Sequence, residues 1–269
     1  IHVPAEANDN QIVLQKIAGS TQGLTLALSR SATTTECEVH FSAVSASVGL
    51  LASASLSKGT FNHVVATLNS RPGVNRLQLF VNEVLVTETT DNVEFGKFGF
   101  TINPLLIGSG STVSFSRIPR LSSAYPSSVF TPILTFSGSI DEFRVFHDVR
   151  TLEQQKQYAR RAIYASPELK LYYKFNEPLS ASQNDPGALT TNTSRIVLDS
   201  SGNSLHGVIT NFSSSLKVSG TLVNPMTNES LSLCPVLFPA YNVVADLNVT
   251  LLASASAYDA VNPNIITRL

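Results

Sequence analysis

The segment Phe136-Ser-Gly-Ser-Ile-Asp-Glu-Phe-Arg-Val-Phe-His-Asp-Val-Arg-Thr-Leu-Glu-Gln-Gln (136–155) says more about the fold than any other part of the chain. Its apolar residues predict a strand over 140–146, and Gly138 stands where that strand begins. Thr151 is a residue type favoured at helix N-caps, and the polar segment after it predicts a short helix that reaches about Arg161. The segment therefore predicts a strand followed closely by a helix.

Three further motifs precede this segment: Lys58-Gly-Thr-Phe-Asn-His-Val-Val-Ala-Thr-Leu (58–68), the hairpin Arg76-Leu-Gln-Leu-Phe-Val-Asn-Glu-Val-Leu-Val (76–86) and Leu105-Leu-Ile-Gly-Ser (105–109). In order and spacing, the four motifs resemble the laminin-G-like and pentraxin-like branch of the concanavalin A-like lectin/glucanase superfamily. That family writes them as "G-x-W-x-H-V-A", "L-Y-V-N-G", "L-x-I-G" and "F-x-G-x-I-D-E-V-R-I-Y-x-R-A-L". Each motif alone is weak, but their combined order is specific.

The resemblance covers roughly residues 12–161. It implies an all-β fold, a concanavalin A-like antiparallel β-sandwich or jelly roll, with one short helix. Two positions depart from the family pattern, since Phe61 replaces its Trp and Glu83 replaces its hairpin Gly. We therefore expect the turn at Asn82–Glu83 to differ from the family's turn or to be longer. The superfamily contains binding, structural and hydrolytic proteins, so the function needs evidence of its own.

Apolar and polar residues alternate along the first ninety positions, with turn residues between the alternating stretches. This period of two predicts antiparallel strands with one buried face each. The predicted strands are Ile12–Ile17, Leu24–Ser29, Glu36–Val44, Leu50–Leu56, Phe61–Leu68, Leu77–Val81 and Val84–Thr89. From the motif alignment we expect these side chains to be buried: Phe61, Val65, Leu79, Ile107, Ile140 and Phe143.

Two later segments, within 169–175 and 195–209, resemble the opening of the same family's domain, "L-x-x-Y-x-F-(D/N)-E … D-S-S-G-N-x-x-H-G". They either close the first sandwich or begin a partial second unit. The first alternative is favoured and gives a domain over 1–217, because 60 residues are too few for a second complete domain.

The remaining residues, 218–269, predict a Pro-containing extended arm of a longer chain. The arm is also too apolar for a free linker, so we expect it to dock on its own sandwich or on a neighbouring subunit. The run 254–269 resembles segments that follow such a lectin-like module in virion structural proteins of large marine tailed phages.

Composition excludes several classes of function. The net charge is −1 and only 14% of residues are charged, so a nucleic-acid partner has no support. No apolar stretch approaches the length of a membrane span. Cys37 and Cys234 are the two cysteines, and free buried thiols are favoured over a single disulfide.

The adjacent acids Asp141 and Glu142 are the most obvious catalytic candidates. Retaining glycoside hydrolysis needs two carboxyl groups about 5–5.5 Å apart. On the predicted strand, adjacent side chains point to opposite faces, and neither acid has a second acid two residues away. The pattern therefore predicts that the protein is not an enzyme. His63 is predicted to be a core or edge histidine rather than a metal ligand.

Binding sites for metal and glycan have only weak candidates. Calcium takes six to eight oxygen ligands, and no acidic cluster of that kind is present, so the sequence supports no cofactor. The residues that come nearest to a calcium site are Asp9, Asn10, Asp91 and Asn92. The chain has no Trp for sugar stacking. The long Ser/Pro-rich insertion 109–131 offers weak glycan- or partner-binding candidates in Arg117, Arg120 and Tyr125.

Two functional hypotheses follow. The first is a non-enzymatic structural and interaction module of a phage virion, in the tail, the baseplate or the capsid surface, whose partners are other subunits of the same assembly. The second is a carbohydrate-binding adhesion module that recognises host-surface or matrix glycans. The first places the protein in a virion, and the second places it outside a cell or at the cell surface.

Overall fold

The computed structural model describes residues 1–7, 9–19, 22–30, 35–45, 48–71, 73–92, 95, 98, 103–118, 128–159, 161–175, 196–210, 221–223 and 230–232. The chain divides into two compact units, and each is described by itself. One comprises Ile1–Asp141 with Val145–Glu168, and the other comprises Glu142–Arg144 with Leu169–Leu269. The predictions for Arg120, Tyr125 and Cys234, and nearly all of those for the arm, lie outside the described residues.

The described elements, in chain order, are β1 (Gln11–Ile17), β2 (Gly23–Arg30), β3 (Glu36–Val44), β4 (Gly49–Ser57), β5 (Val64–Arg71), β6 (Val74–Val81), β7 (Val84–Asp91), β8 (Leu106–Ile107), β9 (Val113–Ser114), β10 (Val129–Phe130), β11 (Leu134–Thr135), β12 (Phe143–Phe146), α1 (Leu152–Tyr158), β13 (Leu169–Tyr173), β14 (Ile196–Val197), β15 (Gly207–Val208), β16 (Thr221–Val223) and β17 (Ser230–Ser232). The prediction of an all-β sandwich with one short helix is confirmed for the described part of the chain. The predicted strands over 12–89 all recur, although the fifth begins three residues later than expected.

Two sheets form the sandwich of the first unit. A six-stranded sheet has β1 to β4 as antiparallel neighbours, and both β8 and β11 pair with the free side of β1. The pairing of β11 with β1 is parallel. The second sheet is the antiparallel meander β5-β6-β7. Between the two sheets lies a core to which β3 contributes Val39, Phe41 and Ala43 and β6 contributes Leu77 and Leu79.

One face of β7 stabilises the sandwich at its edge. The Thr89 hydroxyl donates to the Leu51 carbonyl of β4 at 2.8 Å, and the Thr87 hydroxyl donates to the Ser53 carbonyl. An unpaired edge of a sheet invites pairing with other chains. The threonines satisfy these carbonyls of β4, so that this part of the edge offers fewer acceptors to a foreign strand.

The described parts of the insertion, 109–118 and 128–131, pack on the outer face of the six-stranded sheet. Its strands β9 and β10 pair with each other, and the rings of Phe115 and Phe130 lie 6.3 Å apart. A second core joins this hairpin to the sheet, and its members are Ile12, Ala27, Leu51, Val113, Phe115, Ile118 and Phe130. The described ends of the insertion thus contribute apolar packing.

Two buried glutamines of β1 fix the loops beside it. The Gln15 side chain accepts from the Ser111 N–H at 2.8 Å and donates to the Ser111 carbonyl at 2.9 Å. The Gln11 side chain accepts from the Ser137 N–H at 3.0 Å and donates to the Ser137 hydroxyl at 3.1 Å. A buried amide costs little only when both of its ends are hydrogen-bonded, as they are here.

The helix α1 begins as the sequence predicts, with Thr151 as its N-cap. The Gln154 N–H donates to the Thr151 hydroxyl at 3.2 Å, and the Thr151 N–H donates to the Gln154 side chain at 3.0 Å. This is a capping box, which satisfies two N–H groups that the first turn leaves without intrahelical partners. The helix ends at Tyr158, three residues before the predicted Arg161.

The predicted strand 140–146 is wrong in its first half. Glu142 has a left-handed backbone with φ 52°, which a strand does not accommodate, so β12 begins only at Phe143. Ile140 packs partly buried against the core, and Phe143 is half-buried. The argument that Asp141 and Glu142 point to opposite faces of one strand is therefore wrong in its geometry.

In the second unit, three charged or polar side chains form a cluster. The Glu142 carboxylate accepts hydrogen bonds from the Arg144 guanidinium and from the Tyr172 hydroxyl. The Arg144 guanidinium also lies over the Tyr172 ring, 5.0 Å from its centre. Burial and the hydrogen bond to Glu142 raise the pKa of Tyr172 to about 12. The carboxylate of Glu142 is thus engaged in a structural cluster.

Asp199 organises the motif Asp-Ser-Ser-Gly-Asn of the second unit. Its carboxylate accepts from the N–H groups of Tyr172 and Ser201 at 2.9 Å and from that of Leu205 at 3.0 Å. Burial alone would raise the pKa of Asp199, but these bonds and the Ser201 hydroxyl hold it below its usual value. Within the described residues, the segments 169–175 and 196–209 thus contact each other through this carboxylate. The proposed boundary at residue 217 stays a prediction.

We expect Asp199→Asn to destabilise the protein by on the order of 1–2 kcal/mol at pH 7, because two bonds to Oδ2 lose their charged acceptor. A folded-state pKa below the unfolded value adds stability above the unfolded pKa, and this is lost as pH falls through the folded pKa. The wild type should therefore lose stability below about pH 4, and the variant should lose less.

Urea unfolding between pH 2 and 7 measures the free energy of unfolding of both proteins. The exposed acid variant Asp148→Asn is the control, and an equal acid dependence in all three proteins would contradict the assignment.

Candidate functional site

The N-terminal segment joins two of the sequence motifs. His2 forms antiparallel bridges with Phe61 on one side and Ser139 on the other. The His2 N–H donates to the Ser139 carbonyl at 2.8 Å, and the Ser139 N–H donates to the His2 carbonyl at 3.0 Å. On the opposite side, the Asn62 N–H donates to the Ile1 carbonyl at 2.8 Å. Residues 61, 2 and 139 are therefore neighbours across three extended segments.

Bridge partners project their side chains to the same face of a sheet. The inward face of these segments carries Val3, Asn62 and the partly buried Ile140. The outward face carries His2, Phe61 and Ser139. Phe61 is 60% exposed, so the expectation that its ring is buried is wrong.

Phe61 is exposed because the side chain of its neighbour Asn62 points toward the core. Its amide donates to the Ser57 carbonyl at 2.8 Å, and Asn62 itself is buried. Side chains alternate along an extended chain, so Val64, Ala66 and Leu68 pack toward the core while Phe61 and Val65 face outward. The sequence prediction placed Phe61 and Val65 inside. The inward-facing positions of this segment are the even-numbered ones, one residue away from those predicted.

The exposed Phe61 ring has the His2 ring as its neighbour on a paired backbone. Its backbone is paired to His2, and the His2 ring lies 5.4 Å from the Phe61 ring at 47°. We call Phe61, His2 and Ser139 the Phe61 platform. It presents an exposed aromatic ring on segments whose backbones are hydrogen-bonded to the N-terminal segment.

A hydrogen-bonded pair of side chains flanks the platform. The His63 Nδ1 and the Glu83 Oε1 are 3.1 Å apart. His63 is also tied to the hairpin, because its N–H donates to the Asn82 side chain at 2.9 Å and its carbonyl accepts from the Asn82 N–H at 2.8 Å. His63 is two residues from Phe61 and faces the same side, so it is an edge histidine and only partly exposed.

The hairpin turn that carries Glu83 has two residues, with Val81 paired to Val84. Asn82 and Glu83 both have left-handed backbones, with φ of 49° and 61°, as a type I′ turn requires. The expectation of a different or longer turn is therefore wrong. A non-Gly residue in this conformation costs about 1–2 kcal/mol. Glu83 adopts this left-handed conformation, and its carboxylate lies beside His63.

The candidate residues predicted from the sequence lie elsewhere. Arg117 is exposed, and its carbonyl accepts from the Gly49 N–H at 2.9 Å. Asp9 is exposed, and the carbonyl of the neighbouring Asn10 accepts from the Ile133 N–H at 2.9 Å. Asp91 pairs with Asn75 at the end of β7, followed by the exposed Asn92. Among the described residues, no three His, Cys, Asp or Glu side chains come together in a group that could hold a metal.

A small open cleft with a volume of about 210 Å³ lies beside β11. Its lining residues are Ser109, Gly110, Pro132, Ile133, Leu134 and Thr135. Enclosed ligand pockets are typically about 300–1,000 Å³, so this cleft is too small to be one. The exposed aromatic platform is therefore the stronger candidate, and it is a surface site.

Comparisons with known proteins identify no family. No protein-family model matches the chain, and no curated protein matches it. Among solved structures, the chain is similar to a putative carbohydrate-binding protein from Bacteroides ovatus ATCC 8483, with 18% identity and a TM-score of 0.47. The match covers 77% of this chain and 49% of that one, so this chain spans about half of its length.

A second similar structure is an S-layer domain-containing protein (residues 221–444) from Clostridium thermocellum ATCC 27405. It has 18% identity and a TM-score of 0.27 over 59% of this chain and 67% of that one. The assignment of the all-β sandwich rests on the strand pairing described above. In the described part of the chain, no helix has the length and apolar character that crossing a membrane requires.

Gly138 allows the backbone of His2 to approach, and this predicts the effect of a substitution. A Cβ at this position would lie 2.1 Å from the His2 carbonyl oxygen. We expect Gly138→Ala to separate His2 from this segment and to destabilise the protein by about 1–3 kcal/mol.

Thermal unfolding measures the effect, and Ser139→Ala at the exposed neighbouring position is the control. The two variants should differ by several degrees in Tm. Equal Tm values would show that the close approach at Gly138 does not hold the platform.

Proposed function

We propose that this chain is a non-enzymatic binding module whose Phe61 platform binds carbohydrate. The observation that carries the proposal is the 60% exposed Phe61 ring, on a paired backbone beside the His63–Glu83 pair. The module would act outside a cell, at a cell surface or on a virion. In each of these places it would attach its parent protein to a glycan.

The side chains of the Phe61 platform and of the flanking His63–Glu83 pair suit a sugar ring. A pyranose has one face of C–H groups that stacks on an aromatic ring, and its rim carries hydroxyl groups. The Phe61 ring supplies the apolar contact. Glu83 supplies carboxylate acceptors, and the imidazoles of His2 and His63 can donate or accept. An apolar surface with a few fixed polar groups is the usual composition of a small-ligand site.

Rigidity supports the same function. A backbone that is ordered before binding loses little entropy when the ligand arrives. Here the pairing of His2 with Phe61 and Ser139 orders the backbone, and the His2 ring packs beside the Phe61 ring.

The absence of catalysis is part of the proposal. Glu142 is occupied by Arg144 and Tyr172, and a general acid or nucleophile needs access to the scissile bond. Asp141 is exposed, but one carboxylate does not supply the pair that glycoside hydrolysis needs. The platform would therefore hold a glycan without cleaving it.

The virion structural module remains a second candidate, and one observation favours it. The β7 residues Val84, Leu85 and Val86 are exposed by 61%, 42% and 50%. Three consecutive exposed apolar residues are unusual outside a contact surface. They would suit packing against another subunit, in agreement with the resemblance of 254–269 to phage structural proteins. The two functions are compatible, since a virion subunit can also bind a glycan.

A glycan array followed by titration calorimetry tests the carbohydrate hypothesis. We expect the wild-type chain to bind a subset of glycans and Phe61→Ala to lose at least ten-fold in affinity, because the stacking contact is worth about 1.4 kcal/mol or more. The control is Tyr164→Ala, which removes an aromatic ring that is 94% exposed elsewhere in the same unit.

Equal binding by the wild type and Tyr164→Ala, with loss in Phe61→Ala, would support the platform. Equal losses in both variants would place the contact elsewhere. A wild type that binds no glycan would leave the structural module as the function to pursue.

A further inference from the structure

We infer that the Phe61 platform is one end of a longer binding track, and that its ligand is an uncharged linear oligosaccharide of several sugars. The inference rests on the proposed function, and it goes further by naming the length and the charge of the ligand. The track is the outer face of the three-stranded sheet β5-β6-β7.

The first observation is the alternation along β5 and the residues before it. Phe61, His63, Val65 and Thr67 occupy every second position, so they project to the same side. Val64, Ala66 and Leu68 pack against the core, which places the alternate set on the outer face. Exposure falls along this set, from the exposed Phe61 through the half-buried His63 and Val65 to the buried Thr67. From residue 61 to residue 67 an extended chain spans about 20 Å. That length accommodates several sugar rings in a row.

The second observation is a ladder of polar side chains at the far end. Thr67, Gln78 and Glu88 lie directly beside one another on the three strands. The Thr67 hydroxyl donates to the Gln78 side chain at 3.4 Å, and the Gln78 amide donates to the Glu88 carboxylate at 2.7 Å. Arg76 and Glu88 form an ion pair at 3.5 Å. The ladder offers fixed amide, carboxylate and guanidinium groups to hydroxyls of a ligand.

Between the platform and the ladder lies an apolar stretch. Val65, Phe80 and Leu85 are cross-strand neighbours. Leu85 is exposed, Val65 is half-buried and Phe80 is buried. Cross-strand neighbours on one face contact each other directly. Leu85 and Val65 thus supply the accessible part of an apolar floor over which the C–H faces of a sugar chain can lie. The order along the track is aromatic ring, apolar floor and polar ladder.

The charges of the track define the ligand further. Arg76 balances Glu88, and the His63 imidazole lies against the Glu83 carboxylate. Among the described residues of this face there is therefore no excess of positive charge. Polyanionic glycans need clustered cations to offset their charge, and an uncharged chain needs none. The track favours neutral sugars over sulfated or uronic acid polymers.

Titration calorimetry with a size series tests the inference on the full chain. The probes are neutral gluco-, manno- and galacto-oligosaccharides of one to six units, together with a sulfated hexasaccharide. For the series that binds, we expect the Kd to fall at least ten-fold from one unit to six, and the sulfated probe to bind more weakly than its neutral counterpart.

The variant Gln78→Ala separates the two ends of the track. It should weaken binding of the hexasaccharide about ten-fold, since it removes one hydrogen-bonding group, and it should leave the shortest ligands unchanged. Phe61→Ala should weaken every length. The control is Ser55→Ala, which removes an exposed hydroxyl bonded to Glu36 on the other sheet.

The outcomes distinguish the two proposals. Equal affinity for one and six units, or no effect of Gln78→Ala on the longest ligand, would overturn the track and leave the platform as a single-sugar site. Tighter binding of the sulfated probe would overturn the charge argument. A wild type that binds a glycan on the array but no member of the series would overturn the track alone, whereas a wild type that binds no glycan at all would refute both the track and the carbohydrate-binding function.

Discussion

The backbone of His2, paired with Phe61 on one side and Ser139 on the other, is the interaction on which the site depends. It brings together residues that are 59 and 137 positions from His2 in the sequence. It also sets the sidedness of all three segments, because bridge partners share a face. Gly138 makes the approach possible, since any side chain there would meet the His2 carbonyl. The aromatic platform is thus a consequence of backbone pairing.

The two sheets differ in what covers their outer faces, and this difference decides where a ligand can bind. The outer face of the six-stranded sheet is packed under the β9–β10 hairpin, where Phe115 and Ile118 are buried. Burial lowers the pKa of His40 on this face to about 3, so that His40 stays neutral. On the three-stranded sheet, Gln78 and Glu88 bond to each other and remain at least partly open to solvent. A soluble ligand therefore meets the second face more readily than the first.

Strands with clear alternation could be predicted from the sequence, because half-buried sheets impose a period of two. The bounds of β3 agree with the prediction at both ends. The candidate site could not be predicted, since its sidedness depends on one residue. The Asn62 side chain points inward, where its amide donates a hydrogen bond to the Ser57 carbonyl. Because Asn and the following His are both polar, the hydrophobic pattern does not indicate that Asn62 is buried. Once Asn62 is inside, Phe61 must be outside.

Left-handed residues were the second source of error. Glu142 interrupts the predicted strand with φ 52°, and Glu83 completes a two-residue turn without glycine. Glutamate has no intrinsic preference for this region, so its backbone cost must be offset by surrounding contacts. Both carboxylates do have such contacts, Glu142 with Arg144 and Glu83 with His63. A sequence pattern does not contain these contacts, because they form only after the chain has folded.

An open platform has consequences for affinity that join the two functional hypotheses. A surface site buries less of its ligand than an enclosed pocket, so a single copy should bind weakly. Linked copies raise the effective concentration of each site, and overall avidity can exceed the single-site affinity by 10²–10⁴. A virion or a cell surface presents many copies of one subunit on a common scaffold. The exposed side chains of Val84 and Val86, which the track does not use, could hold such copies together while the Phe61 platform contacts the glycan. Assembly would then supply the strength that an open aromatic surface lacks.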